Sequence, residues 1–298
     1  MKHGDRKGSS GWKKAGVALK NVFSNNLSRD LLGYEEQGAP FEIVPGLALA
    51  YALATSDKAP AYFEKDRPLV SPLYASAIFK DVVESIILHP KLGMNVLKMV
   101  HAEQTFEFFQ PIYADMKLLP SATVAGIRDV STGQILDVDA QLAQDGETVA
   151  QGRVAMFVRG KPGKKAGEKS KERKTTSGPE MAELTRFSIG KDQPKRYAHA
   201  SGDYNPIHTN RTVARLAGFK APIAHGLCVL ACSAAKLTEA FAEQDPTRLR
   251  ELKCRFAKPV YPGQELTLNT AQSGDGYLFS LVNARGKPVL SNGFVRFS

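Results

Sequence analysis

Asp203 and His208 stand five positions apart in the run Tyr197-Ala-His-Ala-Ser-Gly-Asp203-Tyr-Asn205-Pro206-Ile-His208. Pro206 drives Asn205 out of the helical region and Asp-Tyr-Asn-Pro favours a turn, so this stretch is not regular helix. A turn can bring the carboxylate and the imidazole onto one water molecule. An imidazole with a reference pKa of about 6.5 exchanges protons at neutral pH, while the carboxylate can hold or polarise the same water. The two are expected to titrate as a coupled pair. Asn205, whose amide both donates and accepts, can orient the pair or the water. Gly226 falls at the start of an apolar helical run, where free backbone amides and the positive end of the helix dipole favour an oxyanion. A proton acceptor, a partner that manages the returned proton and an anion donor are what adding or removing water beside a polarised carbonyl requires. Taken singly, Asp203, Asn205 and Pro206 could be an ordinary turn, and His208 a buried, hydrogen-bonded histidine.

The elements that must position these residues are legible in outline. From about Gly226 to Ala240 the chain is apolar nearly all round, so this helix needs cover on most sides. Short, partly alternating runs at 252–256, 266–271, 277–283 and 294–297 read as strands, separated by turn residues such as Pro262-Gly263. A curved sheet wrapped around the helix would supply the cover. The same order occurs earlier, with strand candidates at 105–109, 122–127, 135–142 and 149–158. The echo runs in register from Tyr51 to Tyr62 against Tyr197 to His208, then from Pro68-Leu-Val-Ser-Pro-Leu73 against Pro222-Ile-Ala-His225-Gly226-Leu227. In the first copy Asp57 survives, but Ala59 replaces Asn205, Tyr62 replaces His208 and Pro72, which has no N–H, replaces Gly226. One active site per chain is expected, in the second copy, with the first shaping its surroundings.

The second copy resembles the MaoC-like and hydratase 2 family: an aromatic residue, Gly202-Asp203, Asn205-Pro206, an aliphatic and His208, then Gly218-Phe219, Pro222-Ile-Ala-His225-Gly226 and Phe256-Ala-Lys-Pro-Val-Tyr-Pro-Gly263. The likeness covers roughly the last third of the chain well and the first half as a degenerate copy. It implies an α+β double hot dog fold, two antiparallel curved sheets each around a central helix, with the site at the boundary of two halves. It also implies (R)-specific hydration of trans-2-enoyl thioesters to (3R)-3-hydroxyacyl thioesters, or the reverse. Asp203, His208, Asn205 and Gly226 would be catalytic, and the Gly226 N–H would receive the thioester oxygen. Pro222, Ile223 and His225 would line the substrate, although His225 could instead merely cap the helix. The resemblance implies no metal and no redox cofactor, with coenzyme A or acyl carrier protein entering as part of the substrate.

The 298 residues, 43% of them hydrophobic, suit two domains. The expected division is a basic tail at 1–38, a degenerate hot dog domain at 39–159, a basic linker at 160–179 and the motif-bearing domain at 180–298. Three clustered cysteines, Cys228, Cys232 and Cys254, make neither a disulfide framework nor a zinc pair, and point to a reducing compartment, with cytoplasm as the default. No apolar stretch is long enough to cross a bilayer, and no secretory signal is evident. Much of the net charge of +10 lies in Met1–Lys20 and in the run GKPGKKAGEKSKERK, read as a solvated connector, so no specific nucleic acid is expected. A short amphipathic helix around Trp12 to Phe23 and a homodimer are also conceivable. The competing functions are a hot dog thioesterase, disfavoured because the helix from Gly226 to Thr238 contains no acid, and a non-catalytic acyl-thioester or nucleic-acid binder, disfavoured by the intact Asp203, Asn205 and His208.

Overall fold

The computed structural model describes residues 26–95, 99–160 and 179–298. The possible N-terminal amphipathic helix and nearly all of the basic connector lie outside them. Chain order in the first half is β1 (Glu35–Gln37), β2 (Phe41–Glu42), α1 (Pro45–Ala54), α2 (Ala75–Ile87), β3 (Met99–Phe108), β4 (Lys117–Val130), β5 (Gly133–Gln144) and β6 (Glu147–Arg159). The second half runs β7 (Ala182–Ser188), α3 (Gln193–Ser201), α4 (Arg211–Leu216), α5 (Gly226–Phe241), β8 (Leu249–Phe256), β9 (Glu265–Ser273), β10 (Gly276–Asn283) and β11 (Pro288–Phe297). The two halves repeat one plan, as the internal echo anticipates.

All strand pairs are antiparallel, in the order β1-β4-β5-β6-β3-β8-β11-β10-β9-β7, with β2 beside β4. The halves meet where β3 pairs with β8, from Glu103 opposite Arg255 to Glu107 opposite Glu251. That ladder satisfies the backbone groups of two strands that would otherwise be open edges, which is the gain from fusing two units. This is the double hot dog expected from the sequence. Each expected strand begins earlier than its predicted segment, and β4, β5, β6 and β9 also end later, because ladder hydrogen bonding carries pairing past the residues whose side chains alternate.

α5 buries Cys228, Val229, Leu230, Ala231, Cys232, Ser233, Ala234, Leu237 and Thr238, which accounts for its lack of a polar face over most of its length. All three cysteines are buried free thiols. α2 is its counterpart, burying Ile78, Phe79, Val82, Val83, Ile86 and Ile87. Between them α1 and α3 pack together: the Tyr51 and Tyr197 rings lie 5.3 Å apart, and Gln193 Nε2 donates to the Ala54 carbonyl at 2.7 Å. Sequence reading did not foresee α1 and α3, whose short Ala-rich runs carry little periodic signal.

The expected boundary at residue 38 needs moving. Leu27 and Leu31 are buried in the first core, the Ser28 N–H donates to the Leu92 carbonyl, and β1 extends the sheet along β4. The folded half therefore includes residues well before 39, which local composition cannot report because β1 is held by a distant partner strand. Among the described residues no helix is long and apolar enough to cross a membrane. Phe106 on β3 is fully buried directly opposite buried Leu252 of β8. Phe106→Ala should cost about 3–5 kcal/mol in urea unfolding, with both halves losing structure in one transition; independent transitions would show that the junction does not couple them.

Candidate active site

α3 ends at Gly202, whose φ of +73° is a left-handed cap that glycine adopts without strain. The chain then leaves the helix as a tight series of local hydrogen bonds. Asp203 N–H donates to Ser201 Oγ at 3.2 Å, Asn205 N–H to Asp203 Oδ1 at 3.1 Å and Ile207 N–H to Asn205 Oδ1 at 3.2 Å. Asn205 is extended, with φ −55° and ψ 118°, as the following proline demands, and Pro206–His208 form one 3-10 turn. Asn205 thus caps that turn with its amide oxygen and supports the Asp203 carboxylate through its own backbone N–H.

Across this loop runs the segment that leads into α5. The Ile223 N–H donates to the Ile207 carbonyl at 3.3 Å, and His208 Nδ1 lies 2.9 Å from the Ile223 carbonyl. A carbonyl can only accept, so Nδ1 carries the proton and Nε2 presents a lone pair. Burial holds His208 below the ordinary histidine range, opposed by the Asp203 charge and by the bond to Ile223. A neutral imidazole with a free Nε2 beside a carboxylate is the state a general base requires.

His225 stacks on His208 with ring centroids 3.7 Å apart and planes at 27°, and its Nε2 lies 3.1 Å from the Asp203 carbonyl. One donor atom from each of Asp203, His208 and His225 falls within 4.8 Å of the others. These are the residues that could hold a metal. Each ring gives one nitrogen to a backbone carbonyl, which leaves His208 Nε2, His225 Nδ1 and one carboxylate as candidate donors, fewer than the four of a closed structural zinc site.

Gly226 is the first residue of α5, and its N–H has no acceptor among the described residues. A Cβ placed on it would lie 3.0 Å from the Phe256 ring, so the glycine keeps this amide uncovered beneath an aromatic lid. The Phe256 ring lies 4.7 Å from His101 of β3, itself electrostatically coupled to Asp203. The first half therefore reaches the site through His101.

The structure thus brings Asp203, His208, His225 and the start of α5 together, with Asn205 as the support of the turn. Pro222 and Ile223, expected against the substrate, lie in the segment beside His208; the Ile223 side chain is buried and its carbonyl is the part that acts on the site. That role was invisible in sequence, since every residue has a carbonyl. His101 was also missed: nothing in its spacing pairs it with a motif in the other half. In the first copy, Tyr62 Oη donates to Asp57 Oδ2 at 2.7 Å and Pro72 opens the turn before α2. Burial raises the Asp57 carboxyl, and among the described residues its hydrogen-bond partners are the Tyr62 hydroxyl and the Ala59 N–H.

Burial lowers His208 from the ordinary histidine range and pushes His101 and His225 down to about 4. Between about 4 and 6.5 the unfolded chain binds more protons at these groups than the folded one, so their contribution is present above about 6.5 and lost as pH falls towards about 4. Asp57, shifted upward, works in the opposite sense as a single group. The thermal midpoint should therefore be lower at pH 5 than at pH 7.5; an unchanged or higher midpoint would contradict the burial of these rings.

Two family models match the chain in succession: "MFE-2 hydratase 2 N-terminal domain" over residues 55–160 and "MaoC like domain" over residues 160–291. The mouse peroxisomal multifunctional enzyme type 2 is 33% identical over 210 residues, 69% of this chain and 28% of that one, so the chain spans little more than a quarter of that relative. A Dictyostelium discoideum protein named probable enoyl-CoA hydratase 2 is 25% identical over 76% of this chain and 78% of its own length. The crystal structure of a MaoC-like dehydratase from Phytophthora capsici superposes with a TM-score of 0.76 at 25% identity, covering 92% of this chain and 98% of that one. With both domain models in tandem on a double hot dog scaffold, and the motif residues gathered at one helix start, the chain belongs to the MaoC-like, hydratase 2 family.

Proposed function

We propose that this protein is a hydro-lyase that adds water to trans-2-enoyl thioesters to give (3R)-3-hydroxyacyl thioesters, and runs the reverse dehydration. The observation that carries the reading is the convergence of the Asp203 carboxylate, the bare Nε2 of neutral His208 and the uncommitted Gly226 N–H at one end of α5. Water held between Asp203 and His208 loses a proton to the pair as its oxygen attacks C3. Charge moves to the thioester oxygen, where the Gly226 N–H and the positive end of α5 stabilise it. The pair then returns a proton to C2. Asn205 holds the turn that presents both groups. Pro222 and the backbone of Ile223 border the substrate, with His225 buried against His208, and the first half shapes the acyl-binding space.

Relatives named enoyl-CoA hydratase 2 make coenzyme A the favoured carrier over acyl carrier protein. The reaction needs no added cofactor, which activity after exhaustive dialysis against EDTA would support. The reading places the chain in the cytoplasm, although relatives are named peroxisomal, so fractionation decides the compartment. A homodimer is part of the reading, checked by light scattering. A thioesterase is less well supported: the only acid on α5, Glu239, lies at its far end and is paired with Lys236 at 2.6 Å.

Crotonyl-CoA and a long-chain trans-2-enoyl-CoA should be hydrated, with chiral analysis giving the (3R) product. Asp203→Asn and His208→Ala should each lower kcat by about 100-fold or more; turnover untouched by both would end this reading. Because His208 sits below the ordinary histidine range, kcat/KM should hold steady from pH 8 to about 6.5 before declining.

Gly226→Ala and Gly226→Pro both push against Phe256, and proline is compatible with the first position of a helix, but only proline deletes the N–H. The proline variant should fall below the alanine variant by about 100- to 1,000-fold in kcat. Equal rates for the two would remove this amide from the mechanism.

A further inference from the structure

His225 is more constrained than a residue that merely caps a helix or lines a substrate. It is the N-cap residue of α5, yet its side chain makes no capping hydrogen bond. Instead the ring turns back across the site. It lies between Tyr197, 4.9 Å away, and His208, 3.7 Å away, and is 2% exposed. Its Nε2 is 3.1 Å from the carbonyl oxygen of Asp203. That oxygen can only accept, so the proton is on Nε2, and Nδ1 is left as a bare acceptor, buried and without a partner. A phenyl or leucine side chain would fill this space with no stranded polar atom. A ring that leaves one nitrogen unsatisfied is retained for what its other nitrogen does.

We infer that His225 is a positioning residue: through Nε2–H donated to the Asp203 carbonyl, it clamps the acid–base loop to the residue immediately before the Gly226 amide. The loop and the helix start are separate stretches of chain, joined here by the backbone pairing of Ile223 with Ile207, by His208 to Ile223, and by this clamp. The clamp alone of these ties the Asp203 peptide itself. It fixes the distance between the groups that move the proton and the amide that receives the charge, a spacing on which an oriented reaction depends steeply. The stack against His208 adds a second restraint, since that face of the catalytic ring is closed to rotation. The ring does this while neutral: burial, and then the proximity of His208, push His225 down to about 4, so no second positive charge stands against His208 at working pH.

The kinetic arm of this inference rests on the hydratase reading, so the test has a second arm that does not. Gln places an amide N–H2 where His Nε2–H lies, Asn places one where Nδ1 lies, and Ala places none. In His225→Gln, kcat for crotonyl-CoA hydration should stay within about threefold of wild type, whereas His225→Asn and His225→Ala should lose about 10- to 100-fold in kcat with KM changed less than threefold. Independently of turnover, amide hydrogen exchange at Asn205 and Ile207, both bonded within the loop, should quicken in the Asn and Ala variants and not in the Gln variant. Circular dichroism confirms folding of each variant. Equal kcat across all three variants, or exchange at the loop unaltered in His225→Ala, would overturn the clamp. Should wild type fail to hydrate any enoyl thioester while the exchange pattern appears as stated, the clamp stands and the proposed reaction falls.

Discussion

The hydrogen bond from His208 Nδ1 to the Ile223 carbonyl, 2.9 Å long, is the restraint on which the chemistry of this chain depends. It sets the tautomer, and with it which nitrogen of the ring can take a proton. It also ties a six-residue loop, from Asp203 to His208, to the segment that runs into α5, so that a carboxylate from the end of one helix faces the first amide of another. Without that bond the ring would be free to rotate and either nitrogen could carry the proton. A buried carbonyl is a good anchor because its own need for a donor is met only in this arrangement.

The duplicated architecture supplies the setting. An almost wholly apolar helix such as α5 can be buried only if a sheet wraps it, and a curved sheet has edges that must be closed. Joining β3 to β8 closes one edge in each half with a single ladder. The same join carries His101 and Phe256 towards the start of α5, where Phe256 packs over Gly226. The first half thus contributes a wall to the site even though its own copy of the motif has become a closed Asp57–Tyr62 hydrogen bond.

Polar groups at the site are close together, His225 buried and Asp203 and His208 half-buried, which ties the protonation of the two rings to the fold. Two stacked imidazoles beside one carboxylate are held below the ordinary histidine range by burial, and His225 additionally by the proximity of His208.

The sequence by itself determined the duplicated plan, the two central helices, most strands, the single intact motif and the residues proposed as the acid–base pair. Those properties are local: proline restricts its neighbour, an apolar run has a period, and Asp203, Asn205 and His208 sit within six residues. Tertiary structure alone decided the rest. Which nitrogen of His208 is free depends on a carbonyl fifteen residues away, and the use of His225 depends on the Asp203 carbonyl twenty-two residues away. His101 enters the site from the other half, and the strand at 35–37 joins β4 some eighty residues on. Backbone carbonyls carry no residue identity and cross-half contacts no spacing, so neither leaves a mark that a linear pattern could reveal.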